Sequence, residues 1–210
     1  MKKYLVLTVL FVLPIVAYLF FASGVTNFGK LPILTQQVET LWNTDNGPSL
    51  EGRITILGFL GHNVDENKGN AFNLNQKIYK RFSDFKDFQF IMVMPKGTEA
   101  QVTELKKELG QLSSVEKWHF IFGEEAQVKS VFESLETNVG LDDDLSTPYV
   151  FIIDKNRALR GRDDDSDEGV KYGFNATSVA DLNNKMVDDV MIILAEYRMA
   201  LKSNNAGRKK

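Results

Sequence analysis

The chain has 210 residues, enough for one compact domain with its own core plus a short additional segment. Apolar residues make up 43% and charged residues 25%, a balance that excludes extensive disorder. Lys and Arg number 25 against 28 Asp and Glu, and this slight negative excess excludes a surface built to grip nucleic acid. There is no cysteine, which removes disulfide exchange, thiolate nucleophiles, Cys-ligated zinc or copper, and a lipid-modified cysteine anchor.

In chain order, Tyr4–Ala22 follows Lys2 and Lys3 without a single charge. As a helix it would reach about 28 Å, close to the apolar thickness of a bilayer. Residues 1–23 are therefore predicted to be a single-pass signal-anchor. The positive-inside rule keeps the N-terminus in the cytoplasm and puts the rest on the periplasmic side of the inner membrane. Ala22-Ser23-Gly24 also suits a signal peptidase, and cleavage is the alternative. The length of the apolar run and the bulk of Leu19, Phe20 and Phe21 favour retention.

Residues 24–50 show no sustained period and read as a tether into a domain at 51–203, followed by a basic tail, 204–210. Arg53 to Leu60 reads as a short buried strand, then a polar loop from Gly61 to Gly69. Ala71, Leu74, Ile78, Phe82 and Phe85 recur at helical spacing. Phe88 to Met94 is a continuous apolar strand that Pro95 should stop. Thr98 to Gln101 has the form of a capping box opening a helix with Val102, Leu105 and Leu109 inward. Trp118 to Phe122 reads as a strand, and Val128, Val131, Phe132 and Leu135 as the stripe of another helix. Pro148 to Asp154 is a strand with its proline at the least harmful position, and Ala158 to Arg162 its hairpin partner. Ser178 caps a last helix with Leu182, Met186, Val190, Ile193 and Tyr197 inward. The order β-α-β-α-β-α-β-β-α predicts an α/β fold with helices on both faces of a central sheet.

Three features carry a family resemblance: the anchor-tether-domain layout, the strand Arg53–Leu60 running into a loop and helix, and the segment STPYVFIIDKNRALRG, Ser146 to Gly161. On these the chain resembles the Sco/SenC group of thioredoxin-like, membrane-anchored copper-delivery proteins, over roughly residues 50–200. The resemblance implies a thioredoxin-like sheet and, in relatives, a Cys-x-x-x-Cys pair with a histidine. Here those positions fall near Asn63, Asn67 and Ser146. Carboxamides and a hydroxyl are weak neutral ligands and can neither deliver copper nor exchange disulfides. The resemblance thus implies a non-catalytic descendant with no catalytic residues and no cofactor. Thr147-Pro148 falls where many thioredoxin-like proteins carry a cis-proline, and either isomer is open here.

Other candidates weigh less. His62, with Asp65 and Glu66, could ligate a hard metal or zinc, against the reading of a solvated loop. His119 sits in a strand between Trp118 and Phe120 and reads as a packing residue. Asp163, Asp165 and Asp167 have the spacing that opens an EF-hand loop, but Phe174 stands where the bidentate Glu belongs. That stretch and Asp142–Asp144 read as solvated acidic loops. No serine triad and no glycine-rich phosphate loop is present. Asn175-Ala176-Thr177 matches a glycosylation acceptor, a pattern common by chance.

The functional expectation is an envelope binding or assembly module, held to the membrane by Tyr4–Ala22 and linked by resemblance to respiratory-oxidase maturation. Its partner-binding surface would comprise His62, Asn63, Asn67, Ser146, Thr147 and Pro148. Two alternatives remain: a metal-binding protein or enzyme using His62, Asp65 and Glu66, and a structural envelope protein with no specific ligand.

Overall fold

The computed structural model describes residues 4, 10–16, 29–42 and 47–207, with side chains as far as residue 200. Most of the apolar segment Tyr4–Ala22 lies outside the described residues, as do the tail residues 208–210. Tyr4 and residues 10–16 are helical and exposed. Among the described residues, no helix is long and apolar enough to cross a membrane.

The central strands are β2 (Ile54–Phe59), β3 (Phe88–Pro95), β4 (Trp118–Gly123) and β5 (Tyr149–Ile153). β2 runs parallel to β3, and β3 parallel to β4, while β5 lies antiparallel on the other side of β2. A short β6 (Leu159–Arg160) continues the sheet antiparallel to β5, and β1 (Ile33–Thr35) closes that edge. The order is β1-β6-β5-β2-β3-β4, with β9 (Phe174–Asn175) also pairing to β5. A parallel β-α-β unit, joined through an antiparallel neighbour to a closing hairpin and helix, is the thioredoxin arrangement. The fold is thioredoxin-like.

The apolar strands are buried on both faces, as a sheet covered on two sides requires. Ile54, Ile56, Phe88, Phe90, Met92 and Met94 face one core, while Leu57, Phe59, Ile91 and Val93 face the other. The first core is covered by α1 (Val64–Leu74), which continues through a π-type turn (Asn75–Tyr79) and a last turn (Lys80–Phe82). α2 (Glu99–Gly110) and the last helix join it there. That helix, α4, starts with a turn (Val179–Asp181), passes through a second π-type stretch (Leu182–Met186) and runs on as Val187–Gly207. α3 (Glu125–Glu133) covers the other face. Most of the inward stripes expected from the sequence are buried, and Leu182, Met186, Val190 and Ile193 have no exposed surface at all. Phe85 is the exception, 40% exposed beyond the helix end at Phe82, and Tyr197 is half-buried.

Four expectations need correction. Residues 24–50 are not a plain tether, because β1 pairs with β6 and Leu31, Val38, Leu41 and Leu50 are buried in the domain. A three-residue strand has no period to announce it. The segment 61–69 is not a loop throughout: helix α1 begins at Val64, placing Asp65, Glu66 and Asn67 in its first turn or next to it. Its first turns are polar because they face solvent, and the groups that start it come from elsewhere in the chain. β3 does end at Pro95, but with the proline as its last paired residue, opposite Gly123, rather than the first beyond it. The Thr98 capping box does not form. The Thr98 hydroxyl donates to the Pro95 carbonyl, and Gln101 turns towards α1 instead.

Candidate functional site

At the C-terminal ends of β2 and β3 the chain turns through Gly61-His62-Asn63 into α1. The segment Asp142–Pro148, leading into β5, lies directly against this turn. Leu60 bridges Ser146, and the Thr147 amide donates to the Phe59 carbonyl at 3.2 Å. These contacts extend the β2–β5 pairing past the strands and bring the predicted positions Asn63, Asn67, Ser146, Thr147 and Pro148 to one face. Every peptide bond among the described residues is trans, the Thr147–Pro148 bond included.

The first amides of α1 have no intrahelical partners and normally seek an anion or a cap. Here the chain supplies both. Asp144 accepts the Asn63 amide on its carboxylate at 3.0 Å and the His62 amide on its carbonyl at 3.0 Å. Gln101 accepts the Val64 amide at 3.0 Å and returns a hydrogen bond to the His62 carbonyl at 3.1 Å. Gly61 makes the approach possible: its φ is +71°, and a Cβ there would stand 2.5 Å from the Asp144 carbonyl oxygen. Asp142 in turn holds the Ser146 amide and hydroxyl, each at 2.7 Å. Asn67 donates to the Leu60 carbonyl at 3.0 Å.

Of the expected partner surface, His62, Asn63 and Asn67 are half-buried and Pro148 is exposed. Ser146 and Thr147 are buried and offer a partner almost nothing. The accessible face is instead completed by Asp65, Glu66 and Asp143. A cleft of about 420 Å³ opens beside it, lined by Lys129, Phe132, Glu133, Leu141, Asp142, Asp143 and Leu145.

His62, Asp65 and Glu66 do not form a metal centre. The His62 Nε2 lies 3.4 Å from Glu125, on α3, while Asp65 pairs with Lys68 at 3.5 Å. Among the described residues no group of three or more His, Asp or Glu is arranged to hold a metal ion. His119 is half-buried in β4, and burial, with help from Arg53 and Lys106, lowers its pKa.

The Asp163–Glu168 stretch forms no ion-binding loop. It is a hairpin, β7 (Arg162–Asp165) with β8 (Gly169–Lys171). Lys185 of α4 places its ammonium 2.7 Å from Asp165 and 2.7 Å from Asp167, where a cation would have to sit. Arg162 grips Asp189 with two nitrogens at 2.9 and 2.8 Å. Buried Lys171 pairs with Glu168 and with Asp181 at 3.1 Å. This ionic cluster straps the hairpin to α4. Sequence periodicity gave no sign of it, because its members alternate between two strands and a helix.

The conspicuous segment Ser146–Gly161 also has a structural task. Asp154, 1% exposed, accepts the Asn156 and Ala158 amides and pairs with Arg160 at 3.0 Å. Arg160 reaches on to the Leu31 carbonyl at 2.8 Å and to Glu196 at 2.7 Å, joining hairpin, N-terminal segment and α4.

No family model matches this chain, and no curated protein matches it. Solved structures do. A putative electron transfer protein from Aquifex aeolicus VF5 is 15% identical with a TM-score of 0.49, covering 78% of this chain and 97% of its own. The soluble domain of Sco1 from Bacillus subtilis is 15% identical, covering 78% and 97%, with a TM-score of 0.45. Arabidopsis thaliana ScoI with copper bound is 22% identical, covering 68% and 86%, with a TM-score of 0.45. The chain resembles Sco-family and thioredoxin-like proteins. At these identities and TM-scores the likeness adds nothing to the fold already described from the strand order, and this chain has no cysteine.

Proposed function

We propose that this chain is a membrane-tethered, non-catalytic thioredoxin-like module whose 61–67 and 142–148 face docks another protein of the cell envelope. The observation that carries the reading is the filling of the α1 N-terminus by the chain's own Asp144 and Gln101. Those amides stand where the sequence resemblance places redox or copper-binding thiolates, and a carboxylate there disfavours a second anion. What remains is a face with acidic side chains: Asp65, Glu66, Glu99, Glu124, Glu125, Asp142 and Asp143, of which Asp65, Glu124 and Glu125 pair with Lys68, Lys96 and Lys129. Such a face suits a partner with basic side chains and an association that weakens as salt rises.

The apolar run Tyr4–Ala22 supports the tether, with the domain on the extracytoplasmic side. The Ser146–Gly161 resemblance to Sco/SenC proteins makes oxidase maturation the first setting to test, without metal transfer by this chain.

The experiment is site-specific photo-crosslinking in the native membrane. A photoreactive side chain at Asp143, on the face, is compared with one at Glu116, at the opposite end of the sheet. One discrete adduct from position 143, absent from 116 and weakened by salt, is expected. No adduct, or the same adducts from both positions, overturns the docking face.

A further inference from the structure

We infer that the end of the domain opposite this face is a docking surface for an anionic phospholipid bilayer; the inference rests on the reading of Tyr4–Ala22 as a membrane anchor. A groove of about 310 Å³ lies at that end, lined by Ile54, Phe85, Lys86, Leu194, Tyr197 and Arg198 among others. Phe85 is 40% exposed at its rim, with its ring tilted against Phe82 and the rest of it open to solvent. Exposed Lys86 and Arg198 line the groove, Arg53 donates to the Lys86 carbonyl, and exposed Lys80 and Arg81 precede Phe85 in the chain; none of the five forms an ion pair among the described residues. The acids of this end are fewer or already engaged: Asp87 pairs with Lys155 and Glu196 with Arg160, leaving Glu51, Asp84 and Glu116.

Two further observations choose the occupant. The N-terminal segment runs along the sheet edge to this end: Arg160 binds the Leu31 carbonyl and Glu196, the residue beside Tyr197, and the Val38 amide donates to the Arg157 carbonyl. Residues 23–30 alone separate Leu31 from the apolar segment, and fully extended they span at most about 30 Å. The sheet edge carrying Leu31 is therefore held within a domain's width of the bilayer, and the charge and exposed ring at the groove end choose which end faces it. The chain also leaves here, and after Glu196 it carries Arg198, Lys202, Arg208, Lys209 and Lys210 with no acid. An exposed aromatic ring flanked by bases, held near a membrane, matches the headgroup region, where aromatic side chains settle and bases meet lipid phosphates. With the acidic face at the far end, such docking would present that face away from the bilayer.

The absence of cysteine makes the test direct. Single cysteines at Asn156, beside the groove, and at Asp143, on the acidic face, are spin-labelled in the full chain reconstituted into nanodiscs. The discs are phosphatidylcholine with or without phosphatidylglycerol. Phosphatidylglycerol is expected to shield the label at 156 from a water-soluble nickel chelate and leave the label at 143 unaffected. High salt, or Lys86→Glu with Arg198→Glu, should remove the shielding. Equal accessibility at both positions in both kinds of disc overturns the surface.

Alkaline carbonate washing tests the anchor separately. If carbonate strips the chain, the anchor reading falls, and flotation with phosphatidylglycerol vesicles then judges the surface alone. Flotation weakened about tenfold or more by the two charge reversals supports it, since each base near an anionic membrane contributes roughly fivefold. No flotation overturns it.

Discussion

The carboxylate of Asp144 accepts the backbone amide of Asn63 at 3.0 Å, so helix α1 is capped by a residue 81 positions further along the chain. The Asn63 side chain makes no capping bond of its own. A charged acceptor at a helix N-terminus satisfies an orphan donor and opposes the positive end of the helix dipole. Asp144→Ala should therefore cost about 1–2 kcal/mol in urea denaturation. Amide exchange should accelerate at His62 and Asn63 before it does in the β2 and β3 core. Uniform acceleration throughout would show that the cap is not a local lock.

The same carboxylate governs what a cysteine would do here. In Asn63→Cys the thiol would sit at a helix N-terminus, a position that usually favours the thiolate. With Asp144 beside it, the thiol should titrate at or above the ordinary value of about 8.5, measured by the pH dependence of alkylation. Asp144→Asn in the same background should lower it. A thiol of low pKa with Asp144 intact would mean that the site is not blocked electrostatically.

Much of the domain was legible because its strands are continuous apolar runs. Ile54–Phe59, Phe88–Pro95 and Tyr149–Ile153 are buried on both faces, and the helix stripes stand at regular spacing. What escaped detection depends on partners far apart in sequence. β1 exists because Arg160 and β6 receive it, and α1 starts at Val64 because Asp144 and Gln101 cap it. The Asp-x-Asp-x-Asp spacing suggested an ion, and nothing local announced that Lys185 would fill its place. The resemblance grouped Asn63, Asn67 and Ser146, and the fold does bring these positions together, but the closure of the helix start was invisible without the contact between residues 61–64 and 144.

Two glycines should respond in opposite directions. Gly61→Ala places a Cβ against the Asp144 carbonyl at a φ of +71°, and should cost upwards of about 2 kcal/mol by adding strain to steric conflict. Gly69, exposed on α1, has open space where a Cβ would stand. Gly69→Ala should stabilise by about 0.5–1 kcal/mol. Thermal denaturation of the pair checks both signs, and a neutral Gly61→Ala would mean that the two loops are not locked together.

Arg160 is 3% exposed and bonds Asp154, Glu196 and the Leu31 carbonyl. Arg160→Met keeps bulk but leaves Asp154 buried without its counter-ion, a change that should cost about 3–5 kcal/mol. It also frees the N-terminal segment. Limited proteolysis should then cut between residues 30 and 42 well before the rest of the domain. Asp154→Asn with Arg160→Met should recover part of the loss, since the unpaired charge is gone.

Acid should loosen the strap between the β7–β8 hairpin and α4. Burial works to raise the Asp165 pKa, but the hydrogen bond from Lys185 and the amides of Asp167 and Glu168 outweigh it and bring it down to about 2. A folded-state pKa below the unfolded one stabilises the fold above the unfolded value, and that stability is lost as pH falls through the folded value. The window lies between about pH 4 and pH 2, and the loss is on the order of 2 kcal/mol. Asp189 acts in the opposite sense: burial raises its pKa despite Arg162, so protonation there favours the folded state as pH falls. Lys185, whose pKa is raised by its hydrogen bond to Asp165, contributes stability below its unfolded pKa that is lost only in strong alkali. Denaturation midpoints measured across the acid window should therefore fall more steeply in the native chain than in Asp165→Asn. An identical slope in the two would show that the Asp165–Lys185 pair does not hold the hairpin.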